Sequence, residues 1–187
     1  MEKSLILCAL LLAFMGCKDD PDPAIQLLVN TDMEAGATSP NAWWGLEETV
    51  YVNEWTTEEA SSGTRSLKIS AAQSDDTNFA FWSQTYVGAI PVGKDVVLSI
   101  KVKCKNVSGR GISIAIRGDD ANSLNSNAEQ FSTTQGKINI TGDFDWTTYH
   151  VRLDGIQSDI KSLTVYFVFL SNTVGTAYFD DASLTVQ

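Results

Sequence analysis

The sequence predicts an all-β protein, a two-sheet antiparallel β-sandwich, and three observations predict it. Eight segments alternate apolar and polar residues with period 2 and are rich in Val, Ile, Thr and aromatic side chains. Clusters of Gly, Asn and Asp separate them, and no stretch keeps a 3.6-residue period long enough for a major helix. Without strand–helix alternation, strands at this spacing bury their apolar faces against another sheet.

Taken in chain order, the first element lies outside that domain. Residues 1–16 read as a lipoprotein signal peptide, with Lys3 in a short head, eleven apolar residues at 5–15, and then Gly16. That run is too short for a bilayer, which needs roughly 20 residues. The ending Phe14-Met15-Gly16-Cys17 resembles a bacterial lipobox, which makes Cys17 the expected lipidated thiol. Residues 17–24 form an acidic, Pro-containing tether. In it, Lys18-Asp19-Asp20 resembles the export tag of surface-exposed lipoproteins in glycan-degrading Gram-negative bacteria. Residues 25–187 are then a single domain, held at the outer membrane by lipid alone and exposed at the cell surface.

Within the domain the expected strands are 66–71, 78–87, 96–105, 111–117, 136–141, 147–153, 162–170 and 176–186. Parity in 96–105 turns Val96, Leu98, Ile100, Val102 and Cys104 to the core and Lys101, Lys103 and Lys105 outward. Cys8 leaves with the signal and Cys17 is acylated, so Cys104 stays unpaired, as a small buried apolar residue. In 111–117, Ile112, Ile114 and Ile116 are core and Arg117 points out. In 78–87, Phe79 and Phe81 share one face, while Ala80, Trp82, Gln84 and Tyr86 share the other, and Trp82 with Gln84 reads as solvent-facing. The polar, Asn/Ser-rich stretch 119–135 reads as a loop.

Charge narrows the function. The net charge of −10 argues against nucleic acid, whose phosphates need clustered Lys and Arg. It is also uneven: residues 17–64 carry ten carboxylates against Lys18, a balance of −9, and residues 65–187 balance at −1. His150 is the single histidine and is expected to face outward beside Arg152. There is no Ser-His-Asp ordering, His cluster or Gly-rich phosphate loop, so the chain reads as a non-enzyme.

Four stretches in order resemble the calcium-containing jelly-roll carbohydrate-binding modules of the cellulose- and xylan-binding type, within the galactose-binding-like superfamily. They are the run from Leu27 through Asn30, Asp32 and Glu34; Ser61-Ser62-Gly63 leading into Leu67; Trp146 with Tyr149 after the 142–145 turn; and Tyr178-Phe179-Asp180-Asp181. The resemblance implies glycan binding on a sheet face or at edge loops, with aromatic rings stacking on sugars and amides or guanidinium groups bonding hydroxyls. Carried onto this chain, the binding residues are Trp43, Trp44, Trp82, Gln84, Arg117 and Tyr166, with Thr164, Val168 and Trp55 beside them. Trp146 and Tyr149 read as packing. The resemblance also implies a structural Ca²⁺ held by Asp32, Glu34 and Asp180 or Asp181 with carbonyls near Gly63, since calcium takes six to eight oxygen ligands. The partner is a glycan, retained for neighbouring surface enzymes or transporters. Lys101, Lys103 and Lys105 form a basic row that reads as a solvated face, with attraction of an acidic glycan as its alternative. The rival functions are a structural or adhesion lipoprotein and a jelly-roll glycosidase or lyase.

Overall fold

The period-2 segments become antiparallel strands in the computed structural model, which describes residues 24–48, 50–120 and 129–187. The expected signal peptide, Cys17 and all of the tether but Ala24 lie outside the described residues. The strands are β1 (Trp44–Leu46), β2 (Tyr51–Thr56), β3 (Ser66–Ala71), β4 (Ala80–Tyr86), β5 (Val96–Asp119), β6 (Gln130–Thr133), β7 (Ile140–Leu153), β8 (Ser162–Phe169) and β9 (Thr173–Val186). No helix occurs among the described residues.

The ladder runs β1-β4-β8-β5-β9-β3-β2, with β6 and β7 also paired to β5. Strand β5 turns this one ladder into two layers. Its first half, up to Lys105, pairs with β9 and β7, and its second half, from Ile112, pairs with β8 and β6. The first layer is therefore β2-β3-β9-β5-β7 and the second is β1-β4-β8-β5-β6. Between the halves the register slips, and Asn106, Gly109 and Gly111 take φ of 52°, 93° and 80°. A Cβ on Gly109 would lie 1.7 Å from the Asn172 carbonyl oxygen, so only glycine fits this corner. The expected break at 106–110 is thus a bulged bend inside one strand.

The core lies between the layers. Leu98, Ile100, Val102 and Cys104 meet Ile112, Ile114, Ile116 and the β8 residues Leu163, Val165, Phe167 and Phe169 in one buried cluster. Phe167 stacks on Phe179 of β9 with ring centroids 5.3 Å apart, joining the layers. Burying a ring of this size contributes about 2 kcal/mol or more. Burial pushes the Cys104 thiol up to about 12, which keeps it neutral and unreactive, as parity predicts. The N-terminal segment lies along β9: the Leu27 N–H donates to the Leu184 carbonyl at 2.9 Å and the Ala182 N–H to that of Thr31 at 2.8 Å.

Three short strands escape the period-2 reading. β1 and β6 have 3 and 4 residues, and β2 has 6. β6 corrects part of the expected 119–135 loop, because Gln130–Thr133 pairs with β5 from Ala115 to Gly118; residues 121–128 lie outside the described residues.

Candidate functional site

Once the core takes one side of each strand in the second layer, alternation leaves the other side facing out. Register aligns those outward residues into rows across the strands. Trp44 pairs with Ser83, Ser83 with Tyr166, Tyr166 with Ala115, and Ala115 with Thr133, one row crossing five strands. On one side of it Leu46, Phe81, Val168 and Ser113 form a second row, and on the other Thr85, Thr164, Arg117 and Phe131 form a third. At about 4.8 Å between strands the first row spans about 19 Å, the length of a short oligomer rather than one small ring.

The face is recessed in the middle and aromatic at its rim. Ser83, Ser113, Ala115 and Thr164 are buried, although they point away from the core, while Trp44, Phe79 and Phe131 are 45%, 44% and 56% exposed. Phe81 is the hub: the Trp44 ring meets it edge-on at 5.0 Å, Tyr166 edge-on at 5.3 Å, and Phe79 stacks at 6.1 Å. Each such pair adds about 0.5–1.5 kcal/mol beyond the area it buries, so these rings are held in place before any ligand arrives.

Polar groups sit among the rings. The Arg117 Nε donates to both Asp119 carboxylate oxygens at 2.8 and 3.0 Å, a fork that fixes the guanidinium plane. Burial raises the Tyr166 phenol above its ordinary value, so at neutral pH its hydroxyl keeps its proton and can donate. Hydroxyl pairs join Ser113 to Thr133 at 2.8 Å and Thr85 to Thr164 at 3.0 Å. The Ser83 hydroxyl, between Trp44 and Tyr166, is buried with no hydrogen-bond partner. An unpaired buried hydroxyl costs about 1–3 kcal/mol, a cost that a ligand hydroxyl reaching it would relieve.

Of the sequence-predicted binding residues, Trp44, Arg117 and Tyr166 converge on this face, with Thr164 and Val168. Trp43, Trp82 and Gln84 do not, and each is a correction. Trp43 is 4% exposed, its ring 5.1 Å from that of Phe167 and its indole N–H donating to the Asn30 carbonyl at 2.9 Å. Trp82 is 7% exposed and reaches across the core to donate to the Lys68 carbonyl at 3.1 Å. Gln84 is 4% exposed because its amide grips Val29, accepting from the N–H at 2.8 Å and donating to the carbonyl at 3.0 Å. The faces of β4 are thus the reverse of the expected ones, and the side holding Phe79, Phe81 and Ser83 is the one turned away from the core. Trp55 pins the N-terminal segment through a 2.6 Å bond to the Met33 carbonyl, under the Arg65 guanidinium. Phe79, Phe81, Ser83, Asp119 and Phe131 are site residues that sequence reasoning missed. The Phe79/Phe81 alternation was the available signal, read onto the wrong side.

The residues expected to hold calcium do not fit that ion. Glu34 accepts from the backbone N–H groups of Thr64 and Arg65 at 2.8 and 2.7 Å and from the Thr64 hydroxyl at 2.9 Å, bonds that hold its carboxyl below the ordinary range. Asp180 accepts from the N–H groups of Ser61, Ser62 and Asp181, and Asp181 from Ser61 and the Lys101 ammonium. Asp32 stays exposed. A calcium centre needs the 61–65 turn to aim carbonyl oxygens inward, and here it aims N–H donors. Among the described residues, no three His, Cys, Asp or Glu side chains form a metal-holding group.

The basic row is likewise engaged. Lys101 pairs with Asp181 at 2.9 Å, Lys103 with Glu59 and Asp145 at 3.1 Å each, and Lys105 with Glu59. Glu59, Asp145 and Asp181 thus compensate the row, which speaks against the alternative reading of it as an attractor of acidic glycan. His150 and Arg152 are exposed, as parity predicts.

Fold and face together define a jelly-roll β-sandwich carrying one recessed, aromatic sheet surface. No family model matches the chain, and no curated protein matches it. Among solved structures it is similar to the Stig cyclase Fisc from Fischerella sp. TAU, in complex with (3Z)-3-(1-methyl-2-pyrrolidinylidene)-3H-indole, at 13% identity and TM-score 0.65, covering 88% of this chain and 98% of that one. It is similar to the CBM22-1 xylan-binding domain of Paenibacillus barcinonensis Xyn10C at 17% identity and TM-score 0.59, covering 87% and 95%. A third, TmCBM61 in complex with β-1,4-galactotriose, matches at 17% identity and TM-score 0.53, covering 87% and 99%. The structural neighbours therefore include carbohydrate-binding modules and enzymes alike, and at these identities they establish the shared fold.

Proposed function

We propose that the protein binds a glycan chain, without cleaving it, across the outer face of its second layer. The observation that carries this is the row from Trp44 through Ser83 and Tyr166 to Thr133. Trp44, Tyr166 and Phe131 offer rings to sugar faces, and Arg117, Asp119 and the threonine and serine hydroxyls offer bonds to sugar hydroxyls. Among the described outward residues of these five strands Asp119 is the one carboxylate, whereas glycoside hydrolysis uses two, about 5–10 Å apart. The carbohydrate-binding neighbours support the reading at the level of fold.

The setting belongs to the same proposal. Acylation at Cys17 places the domain at the outer membrane surface, where it retains poly- or oligosaccharide for neighbouring enzymes or transporters; this part rests on residues 1–20. A glycan array probed with the intact domain and with the Trp44→Ala/Tyr166→Ala double variant tests the binding. The expected result is a defined set of bound glycans lost in the folded variant. Binding that survives both substitutions, or release of product from a bound polysaccharide, overturns the proposal.

A further inference from the structure

A cavity of about 510 Å³ opens where the β5 bend meets the 134–139 turn. Its lining includes Arg110, Gln135, Lys137, Ile138, Asn139 and Leu170. Leu170 directly follows β8 and continues the outward alternation of Thr164, Tyr166 and Val168, so the cavity lies at one end of the aromatic face. A second concavity, of about 230 Å³, shares Lys137 and Ile138 with the first and is lined by Thr133, the last residue of the five-strand row.

Of the nine described cations other than Arg110 and Lys137, six have carboxylate partners, whereas Arg65, Lys94 and Lys161 have none within 4.0 Å. The six are Lys68, Lys101, Lys103, Lys105, Arg117 and Arg152. Among the described residues neither Arg110 nor Lys137 has a carboxylate within 4.0 Å; Arg110 donates to the Ser171 hydroxyl at 2.8 Å. In a chain of net charge −10, two uncompensated cations lining one cavity are a local reversal of sign. The Gln135 and Asn139 amides add neutral donors and acceptors beside them.

We propose that this cavity is an anion subsite, and that the glycan carried on the aromatic face bears negatively charged sugars, as carboxylate or sulfate. The inference rests on the glycan-binding reading and specifies its ligand. Rings hold the sugar faces along the row, and the anionic substituent of the sugar at the end of the row lies between the Arg110 guanidinium and the Lys137 ammonium. Charge-assisted bonds of that kind are about twice as strong as neutral ones and give specificity against an uncharged chain.

The test is affinity electrophoresis of the full domain in gels containing neutral polysaccharides (xylan, β-1,4-galactan), carboxylated ones (polygalacturonate, glucuronoxylan) or a sulfated galactan. At least one anionic polymer is expected to retard the protein at least about tenfold more strongly than its neutral counterpart. Arg110→Gln/Lys137→Gln is expected to abolish that excess with the melting temperature unchanged, and Lys137→Arg to retain it. Raising NaCl from low to high concentration should weaken it by screening. Whether the carboxylated or the sulfated polymer is preferred identifies the anion. Equal binding of neutral and anionic polymers, unaffected by the double Gln variant, overturns the subsite and leaves the glycan reading standing. Binding of no polysaccharide overturns both. Anionic retardation that survives Trp44→Ala/Tyr166→Ala also overturns the inference, because the cavity would then act apart from the face.

Discussion

Trp43 and Trp44 are adjacent in sequence and divided between core and surface, so replacing each by alanine separates stability from binding. Trp44 is 45% exposed and contributes to the fold through one edge-on contact with Phe81. Losing that contact costs about 0.5–1.5 kcal/mol beyond area, a fall in Tm of about 2–6 °C in a domain of this size. Trp43 is 4% exposed, packs on Phe167 and bonds the Asn30 carbonyl. Its removal leaves a cavity and an orphaned acceptor at about 3–5 kcal/mol, a fall of roughly 10 °C. For a glycan stacked on Trp44 the order reverses: Trp44→Ala is expected to lose about 10- to 100-fold in affinity, about 1.4–2.8 kcal/mol. Thermal melts followed by titration calorimetry with the best-bound glycan read both quantities. Trp44→Ala binding within twofold of the parent, or destabilising as much as Trp43→Ala, would refute the assignment of the two rings.

Ser83→Ala removes the unpaired buried hydroxyl, so urea titration should show stability unchanged or raised by up to about 1 kcal/mol; loss of more than that would mean the hydroxyl has a structural partner. Burial pushes the Asp180 carboxyl up to about 6 from 3.8. A carboxyl raised on folding contributes stability that is fully present below about 3.8 and lost as pH rises through about 6. The stability difference between the wild type and Asp180→Asn should therefore shift against the wild type by up to about 3 kcal/mol between pH 3.5 and pH 7, and a flat difference counts against the burial argument. Chelation or added calcium should leave Tm within 1 °C or so, because the 61–65 turn holds its carboxylates with N–H donors; a calcium-dependent rise of several degrees would show that the turn rearranges around the ion.

The strand pattern was legible wherever one face is apolar and the other polar. Ser66–Ala71 forms the strand its alternation predicts, and the odd and even residues of the first half of β5 separate into core and surface as parity requires. Strand β4 resisted because both of its faces carry rings, Phe79 and Phe81 on one and Trp82 and Tyr86 on the other, so apolar parity alone cannot orient it. What orients it is non-local: Gln84 finds both backbone groups of Val29, 55 residues away. The tandem at 43–44 required one exposed ring without saying which, and β1, only three residues long, gave no period to read. The lysine row was visible, but its partners were not, since Glu59 approaches it from the loop after β2, Asp145 from β7 and Asp181 from β9.

The two outer faces of the sandwich differ in what it costs a ligand to cover them. On the first layer Lys68 pairs with Glu54 and Glu58, Lys103 and Lys105 share Glu59, and Tyr178 donates to Glu58 at 3.0 Å, so the surface is a lattice of satisfied charges. Covering such a surface strips water from ions that already have partners, and desolvation then exceeds what new contacts return. On the second layer a ligand covers Trp44, Phe79 and Phe131 and gains about 25 cal/mol for each Å² of apolar area removed from water. There the Arg117–Asp119 pair is fixed and the Ser83 hydroxyl is unpaired, so polar groups of a ligand find partners already in place. Three carboxylates of the acidic front, Glu54, Glu58 and Glu59, are engaged by the lysines of the first layer. Arg110 and Lys137, lining the cavity beside the aromatic rows, have no carboxylate within 4.0 Å among the described residues, and a negatively charged sugar would be drawn to that end of the second face.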